Sequence, residues 1–241
     1  SPIFGTRFLS DHAGRIISDP QTAIIELVAN SWDAGATNVH LTWFPDQTNV
    51  IEIKDDGIGM SSEEFNTRWL ELNYNRRDYQ GANVIFPNGS QKSNRKAFGR
   101  NGKGRHGMFC FSDEYFVETT KSGVQSLFKV ARSNSRSTYP FQVTEIHKKS
   151  VAHESHGTRI WVDTSFPSFG PEQLRDTIGS KFISDPTFRI SVNGQEVELT
   201  DLNHLFRKER IIIPGLGVVT VLLFDTEVVS KTAKEPALPG T

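Results

Sequence analysis

The sequence predicts an α+β fold in which helices cover one face of a sheet. Three observations carry this. Segments of alternating polarity follow one another with only a few helical stretches between them, and without regular strand and helix alternation. Two turn signals, "PDQTN" and "NG", separate such segments as hairpins require. The first helical stretch has a continuous apolar back and must lie on something apolar. With 241 residues and 36% hydrophobic content, the chain can bury a real core.

Asp19 and Pro20 are a cap and first-turn pair, and the helix they open runs to Asp33 before Gly35 ends it. At ~100° per residue, Glu26, Asn30 and Asp33 fall within ~40° of one another, while Ile24, Ile25, Leu27, Val28 and Trp32 lie ~100° or more from Glu26. Ala23 and Ala29 flank that polar line, and their small side chains leave room for a ligand. "NVHLTWF" and "VIEIKDD" then form a hairpin whose second strand runs into "DDGIGM". Ser61 and Glu64 are spaced as a capping box and start a second helix.

From about Asn73 to Asn101 the chain turns polar and basic, too long for a tight connection, and is expected to be a mobile segment. "GRNGKGRHGMFCF" restarts order as a glycine loop entering a helix, and "YFVETT", "QSLFKVAR", "YPFQVTEIH" and "TRIWVD" are successive antiparallel strands. Pro171 opens a further helix, and Asn193 and Gly194 turn a last hairpin of this layer. Residues 201–241 hold more strand, expected to open a following subdomain, and the terminal "KEPALPGT" reads as linker, so the natural protein is expected to continue.

A net charge of -1 excludes a chain that binds nucleic acid or anionic membrane by bulk charge alone. No apolar run is long enough to span a membrane, and the start does not resemble a signal peptide. The lone Cys110 rules out an internal disulfide and a cysteine-rich zinc site, which fits the cytoplasm.

Three motifs carry chemistry. In "ELVANSWDAGA", Asn30 offers a neutral oxygen to a hard cation such as Mg²⁺, Glu26 can deprotonate a water attacking phosphorus, and Asp33 is an adjacent hydrogen-bond acceptor or organiser. In "DDGIGM", Asp55 can accept a hydrogen bond from an adenine amino group, and Gly57 and Gly59 let the backbone pass close to a flat base, with Met60 beside them. In "GRNGKGRHG", the glycine-rich backbone of Gly102, Gly104 and Gly107 suits polyphosphate oxygens, with Lys103 and Arg105 as cationic donors and His106 after them. This stretch contains a literal G-x-G-x-x-G, yet no strand precedes it, so a dinucleotide fold is disfavoured. It also fails as a Walker loop, because Gly104 follows Lys103 and Ala97 stands at the first glycine.

Together, and in this order, these motifs resemble those of the Bergerat-fold ATPases, the GHKL superfamily of gyrase B subunits, the large heat-shock chaperone, histidine kinases, MutL and MORC proteins. "ELVANSWDAGA" looks like the N box in its MutL form, "DDGIGM" and "GRNGKGRHG" like the two glycine boxes, and "HGT" at His156 to Thr158 like the short motif whose threonine assists adenine binding. The resemblance spans roughly Phe4 to Val162. It implies a two-layer sandwich with a mixed, mainly antiparallel sheet, an ATP-binding domain over residues 1–200 with a lid at about 73–101, and a transducer-like subdomain from 201.

By motif position, Glu26 would be the general base and Asn30 the Mg²⁺ ligand. Asp55 would accept from adenine with Thr158 behind it, and Gly102, Lys103, Gly104 and Gly107 would line the phosphates. Because Glu26 is the residue that hydrolases keep, a slow ATPase is expected over a kinase, with ATP ordering the lid and driving a homodimer. The rival readings are a nucleotide sensor that does not turn over and a chaperone-type ATPase. Basic residues Arg76, Arg77, Lys92, Arg95, Lys96, Arg100, Lys103 and Arg105 are expected to neutralise phosphate or to contact DNA. Lys231 is a candidate for the transducer's cation to the terminal phosphate.

Overall fold

The computed structural model describes residues 18–44, 48–71, 80–87, 95–99, 104–133, 140–164, 169–182, 185, 187–198, 205–214 and 217–224. Much of the expected lid, together with Gly102, Lys103 and Lys231, lies outside them.

Helix α1 (Pro20–Asp33) begins as expected, with the Asp19 carboxylate accepting from the Gln21 amide at 3.2 Å and the Thr22 hydroxyl at 2.7 Å. Strands β1 (Asn38–Trp43) and β2 (Val50–Asp55) form the first hairpin, and α2 (Ser62–Leu70) starts with a complete Ser61–Glu64 capping box. The helix expected after the glycine loop is a 3-10 helix (Gly104–Cys110). Then come β3 (Glu114–Lys121), β4 (Val124–Arg132), β5 (Phe141–Ser150) and β6 (Gly157–Asp163), followed by α3 (Pro171–Phe182), β7 (Arg189–Val192) and β8 (Gln195–Glu196).

The sheet order is β5-β4-β3-β6-β2-β1-β7-β8, antiparallel throughout except for the parallel pair β1 and β7. This is the mixed, mainly antiparallel α+β sandwich. Period-two side chains explain its two faces: Val39, Leu41, Trp43, Ile51, Ile53, Val117, Phe128 and Val162 point inward and are buried, whereas His40 between Val39 and Leu41 is exposed. Ile24, Leu27 and Val28 of α1 and Leu174 and Ile178 of α3 join them in one core. Strands β9 (Leu205–Ile213) and β10 (Gly217–Phe224) form a separate two-stranded sheet, with Ile212 77% and Val218 61% exposed. Among the described residues, no helix is long and apolar enough to cross a membrane.

The described parts of the expected lid are tied down. Asn83 and Lys96 form an antiparallel bridge, and the Val84 amide donates to the Arg95 carbonyl at 2.9 Å. Arg95, expected as a lid cation facing phosphate or DNA, is a core residue at 4% exposure. Its guanidinium donates to the Ala36 carbonyl (2.5 Å), the Thr187 hydroxyl (2.9 Å) and the Asp185 carboxylate (3.2 Å). The rings of Trp32, Phe86 and Phe188 lie 4.5 to 5.1 Å from its carbon. A planar, weakly hydrated guanidinium with a fork of donors is the one cation suited to such a cage.

Candidate active site

The site is built where the ends of β2 and β6 meet α1. Antiparallel pairing puts Asp55 opposite Thr158. The Asp55 carboxylate accepts from the Ser31 hydroxyl at 2.9 Å, the Gly57 amide at 2.9 Å and the Thr158 amide at 3.2 Å. Two of these bonds fill Oδ1 and one falls on Oδ2. A carboxylate has about four acceptor positions, so Oδ2 keeps room for one further donor, such as a ligand amino group.

Burial pushes Asp55 up to about 6, partly offset by the hydrogen bonds from Gly57, Ser31 and Thr158, with Asp56 adding repulsion. Because this pKa is raised above the ordinary 3.8, the group's stability contribution is complete below the ordinary value and is lost as pH rises through about 6. Asp56 has the opposite sign. Burial works to raise its pKa, but bonds from Asn38 and Thr37 outweigh this and hold it below the ordinary value, so its contribution is lost in acid. Asp56 thereby ties the first glycine box to the start of β1.

The rest of that box lies on the end of β3. Gly59 has φ of 61°, and a Cβ there would collide with the Thr120 carbonyl, so only glycine lets the backbone settle. The Met60 amide donates to the Thr119 hydroxyl at 2.8 Å, while its side chain packs on the edge of the core. His156 Nδ1–H donates to the Gly57 carbonyl at 2.9 Å, joining the His156–Thr158 motif to the box.

Along α1, Glu26 lies directly against Gly104, where a Cβ would approach its carboxylate to 2.5 Å. Burial, with repulsion from Asp33 added, raises the Glu26 pKa above its ordinary value, the direction that improves a carboxylate as a proton acceptor. Asn30 Nδ2 is buried and has no hydrogen-bond partner. An unanswered amide costs free energy unless a ligand answers it, and its neutral amide chemistry fits Mg²⁺ and phosphate oxygens. Asp33 is committed to the protein: its two oxygens accept from the amides of Phe98 (2.6 Å) and Gly99 (2.9 Å), so it fixes the entry to the second glycine box.

That box departs from expectation at three points. His106 is 0% exposed, with its ring centroid 4.6 Å from Phe141 and 6.1 Å from Phe109 and its Nδ1 3.4 Å from the Tyr115 hydroxyl. It supports the loop from the core and does not face the cleft, because the 3-10 helix turns it inward. Arg105 is likewise buried, at 8% exposure. The space beside Ala23, expected to receive a ligand, is filled by Gly107, whose added Cβ would lie 2.9 Å from the Ala23 carbonyl.

Sequence reasoning missed Ser31 and Thr119. Ser31 sits ~140° from Glu26 on the helix wheel, a hydroxyl on the apolar side, and that misfit was the readable signal. Thr119 is one threonine in an ordinary strand and offered none. A groove of about 550 Å³ over β1 and β7, lined by His40, Thr42, Phe44, Ser191 and Asn193, shares no residue with this constellation.

Comparison with known proteins covers the stretch of chain that holds these residues. The profile of the family described as histidine kinase-, DNA gyrase B-, and HSP90-like ATPase matches residues 17–158. A protein of Herpetosiphon aurantiacus assigned as type II restriction enzyme HgiDII is 30% identical over 190 residues, 75% of this chain and 29% of that protein. The DNA mismatch repair protein MutL of Histophilus somni is 38% identical over 52 residues, 22% of this chain and 8% of its own. The mismatch repair endonuclease PMS2 of Homo sapiens is 42% identical over 53 residues, 22% and 6% respectively. The chain spans less than a third of the length of each of these relatives.

Proposed function

The chain belongs to the family of histidine kinase-, DNA gyrase B- and HSP90-like ATPases, and from that premise we propose that it binds ATP with Mg²⁺ and hydrolyses it slowly, with Glu26 as general base. The observation that carries this reading is the half-buried Asp55 carboxylate with one acceptor position left, on the same helix-and-strand junction as Glu26 and Asn30. Asp55 takes a hydrogen bond from the adenine amino group, with Thr158 beside it. Asn30, with phosphate oxygens, would hold Mg²⁺, which neutralises charge on the transferred phosphoryl group when bound. Glu26, its proton affinity raised by burial, removes a proton from the attacking water. Asp33 fixes the backbone at Phe98 and Gly99 and so the start of the loop around the phosphates. Gly102 and Lys103 complete that loop in this reading.

Calorimetry tests the base end. Wild type is expected to bind ATP, and Asp55→Asn to lose that binding, since the new NH₂ either faces the ligand amino group and the Ser31 hydroxyl or faces the Gly57 and Thr158 amides, setting donor against donor in both orientations. Unchanged affinity in the variant removes Asp55 from the site. A second expectation follows from the raised pKa: ATP affinity of the wild type falls as pH drops through about 6, because the protonated carboxyl is no longer a pure acceptor. Titrations from pH 8 to 5 that show a flat affinity contradict it.

In this reading ATP orders the lid and brings two copies together, and hydrolysis lets them part. Residues 201–241 begin a transducer-like subdomain, which would cover the apolar side chains of β9 and β10; a two-stranded sheet is marginal in water without such cover. The relatives named as a restriction enzyme and as mismatch repair proteins make a DNA-associated or defence protein the fitting whole, with this chain as its motor. Lys96, exposed beside the buried Arg95, remains available for DNA. One cysteine and no internal disulfide suit a cytoplasmic location.

A further inference from the structure

Three groups from the base end of the site converge on the Thr119 hydroxyl. Thr119 is 0% exposed on β3, directly opposite Thr158 in the β3–β6 register. Its Oγ1 accepts from the Met60 amide at 2.8 Å and lies 3.5 Å from both the Gly157 carbonyl and the Thr158 hydroxyl.

A hydroxyl has one proton and two lone pairs. One lone pair serves Met60, and the proton has two acceptors at the same distance, so the protein alone does not commit it. If Thr119 donates to Gly157, the Thr158 proton can turn back onto Thr119, and Thr158 then presents only lone pairs to a ligand. If Thr119 donates to Thr158, that lone pair is occupied and the Thr158 proton points elsewhere. Thr119 thus sets whether Thr158 is a donor or an acceptor.

We propose that Thr119 is a positioning residue for base selection: by donating to Thr158 it makes the Thr158 hydroxyl a donor toward the base, directly or through one water. A donor at Thr158 beside the acceptor at Asp55 matches a base edge that carries an amino group next to an unprotonated ring nitrogen, as adenine does. Guanine presents the reverse polarity and is refused. The inference rests on the reading of Asp55 and Thr158 as the base end.

The test compares binding of ATP, 1-deaza-ATP (ring N1 replaced by C–H) and GTP to wild type, Thr119→Val and Thr119→Ser, with thermal unfolding followed in parallel. Wild type is expected to prefer ATP to 1-deaza-ATP by about three- to tenfold, the worth of one hydrogen bond. Thr119→Ser keeps that ratio, and Thr119→Val brings it to about one whatever its melting temperature. A valine variant that weakens both ligands equally, with the ratio intact, shows a merely structural threonine and overturns the proposal. Should the valine variant not fold, the wild-type ratio still decides: a value near one overturns it and a value in the expected range with serine rescue supports it. A wild type that binds no adenine nucleotide at all is a different result, which ends the reading of the site and this proposal with it.

Discussion

Glu26→Ala is expected to bind ATP as the wild type does and to release phosphate roughly 10²- to 10⁴-fold more slowly, the range for loss of a positioned general base. The two effects separate because the groups proposed to grip the base and the one proposed to act on water sit apart. Ser31, Gly57 and Thr158 converge on Asp55 at the strand ends, whereas Glu26 lies against Gly104 at the start of the 3-10 helix. Its raised pKa has burial as the larger cause and Asp33 as the smaller. Removing the carboxylate therefore deletes a proton acceptor and also relieves repulsion on Asp33, which keeps its hold on the Phe98 and Gly99 amides. Phosphate release and calorimetry on both proteins check this. Equal, background-level release from the two would mean that the module senses ATP without turning it over.

Arg95→Ala is expected to lower the unfolding free energy by about 2–4 kcal/mol, from the lost hydrogen bonds of a buried charged donor and the cavity left among the rings. The guanidinium, 1% exposed, is the shared donor for the Ala36 carbonyl, the Thr187 hydroxyl and Asp185. Alanine leaves the Ala36 carbonyl without that donor and opens a hole between Trp32, Phe86 and Phe188. Arg95→Lys recovers only part of the loss, because an ammonium cannot direct separate donors in a plane toward three acceptors. Asp185 adds a pH signature. Burial acts to raise its pKa, but Thr187 and Arg95 together hold it below the ordinary value, so its contribution is lost as pH falls through that depressed value, and the variant should lose part of this acid dependence. Urea unfolding measures both. A change within about 0.5 kcal/mol, the range of ordinary surface substitutions, would return Arg95 to the set of exposed lid cations.

Most of the scaffold was legible because its signals are local. Asp19 and Pro20 start α1 through bonds to residues two and three positions on, and Ser61 caps α2 three positions away. The Asn193–Gly194 turn follows from φ values of 50° and 79° that few other residues tolerate. The alternation of β1 and β2 names its own buried face. The line of Glu26, Asn30 and Asp33 and the place of Asp55 at a strand end are likewise consequences of helical and strand periodicity.

What each polar group does with its hydrogen bonds depended on which distant segments meet. Ser31 reaches Asp55 across 24 residues, Met60 reaches Thr119 across 59, and Arg95 reaches Asp185 across 90. A basic residue in a polar stretch reads as solvated until Trp32, Phe86 and Phe188 close around it. His106 reads as a loop residue until the 3-10 helix turns it against Phe141. The sequence by itself determined the elements, the motif order and the family, since these rest on spacing and residue type. Only the tertiary structure decided that Asp33 anchors the second glycine box, that Arg95 and His106 belong to the core, and that Ser31 bonds Asp55 and Thr119 bonds Met60. Burial and hydrogen-bond partnership at these positions come from contacts between remote segments, of which local pattern carries at most a trace, such as the Ser31 hydroxyl on an apolar helix face.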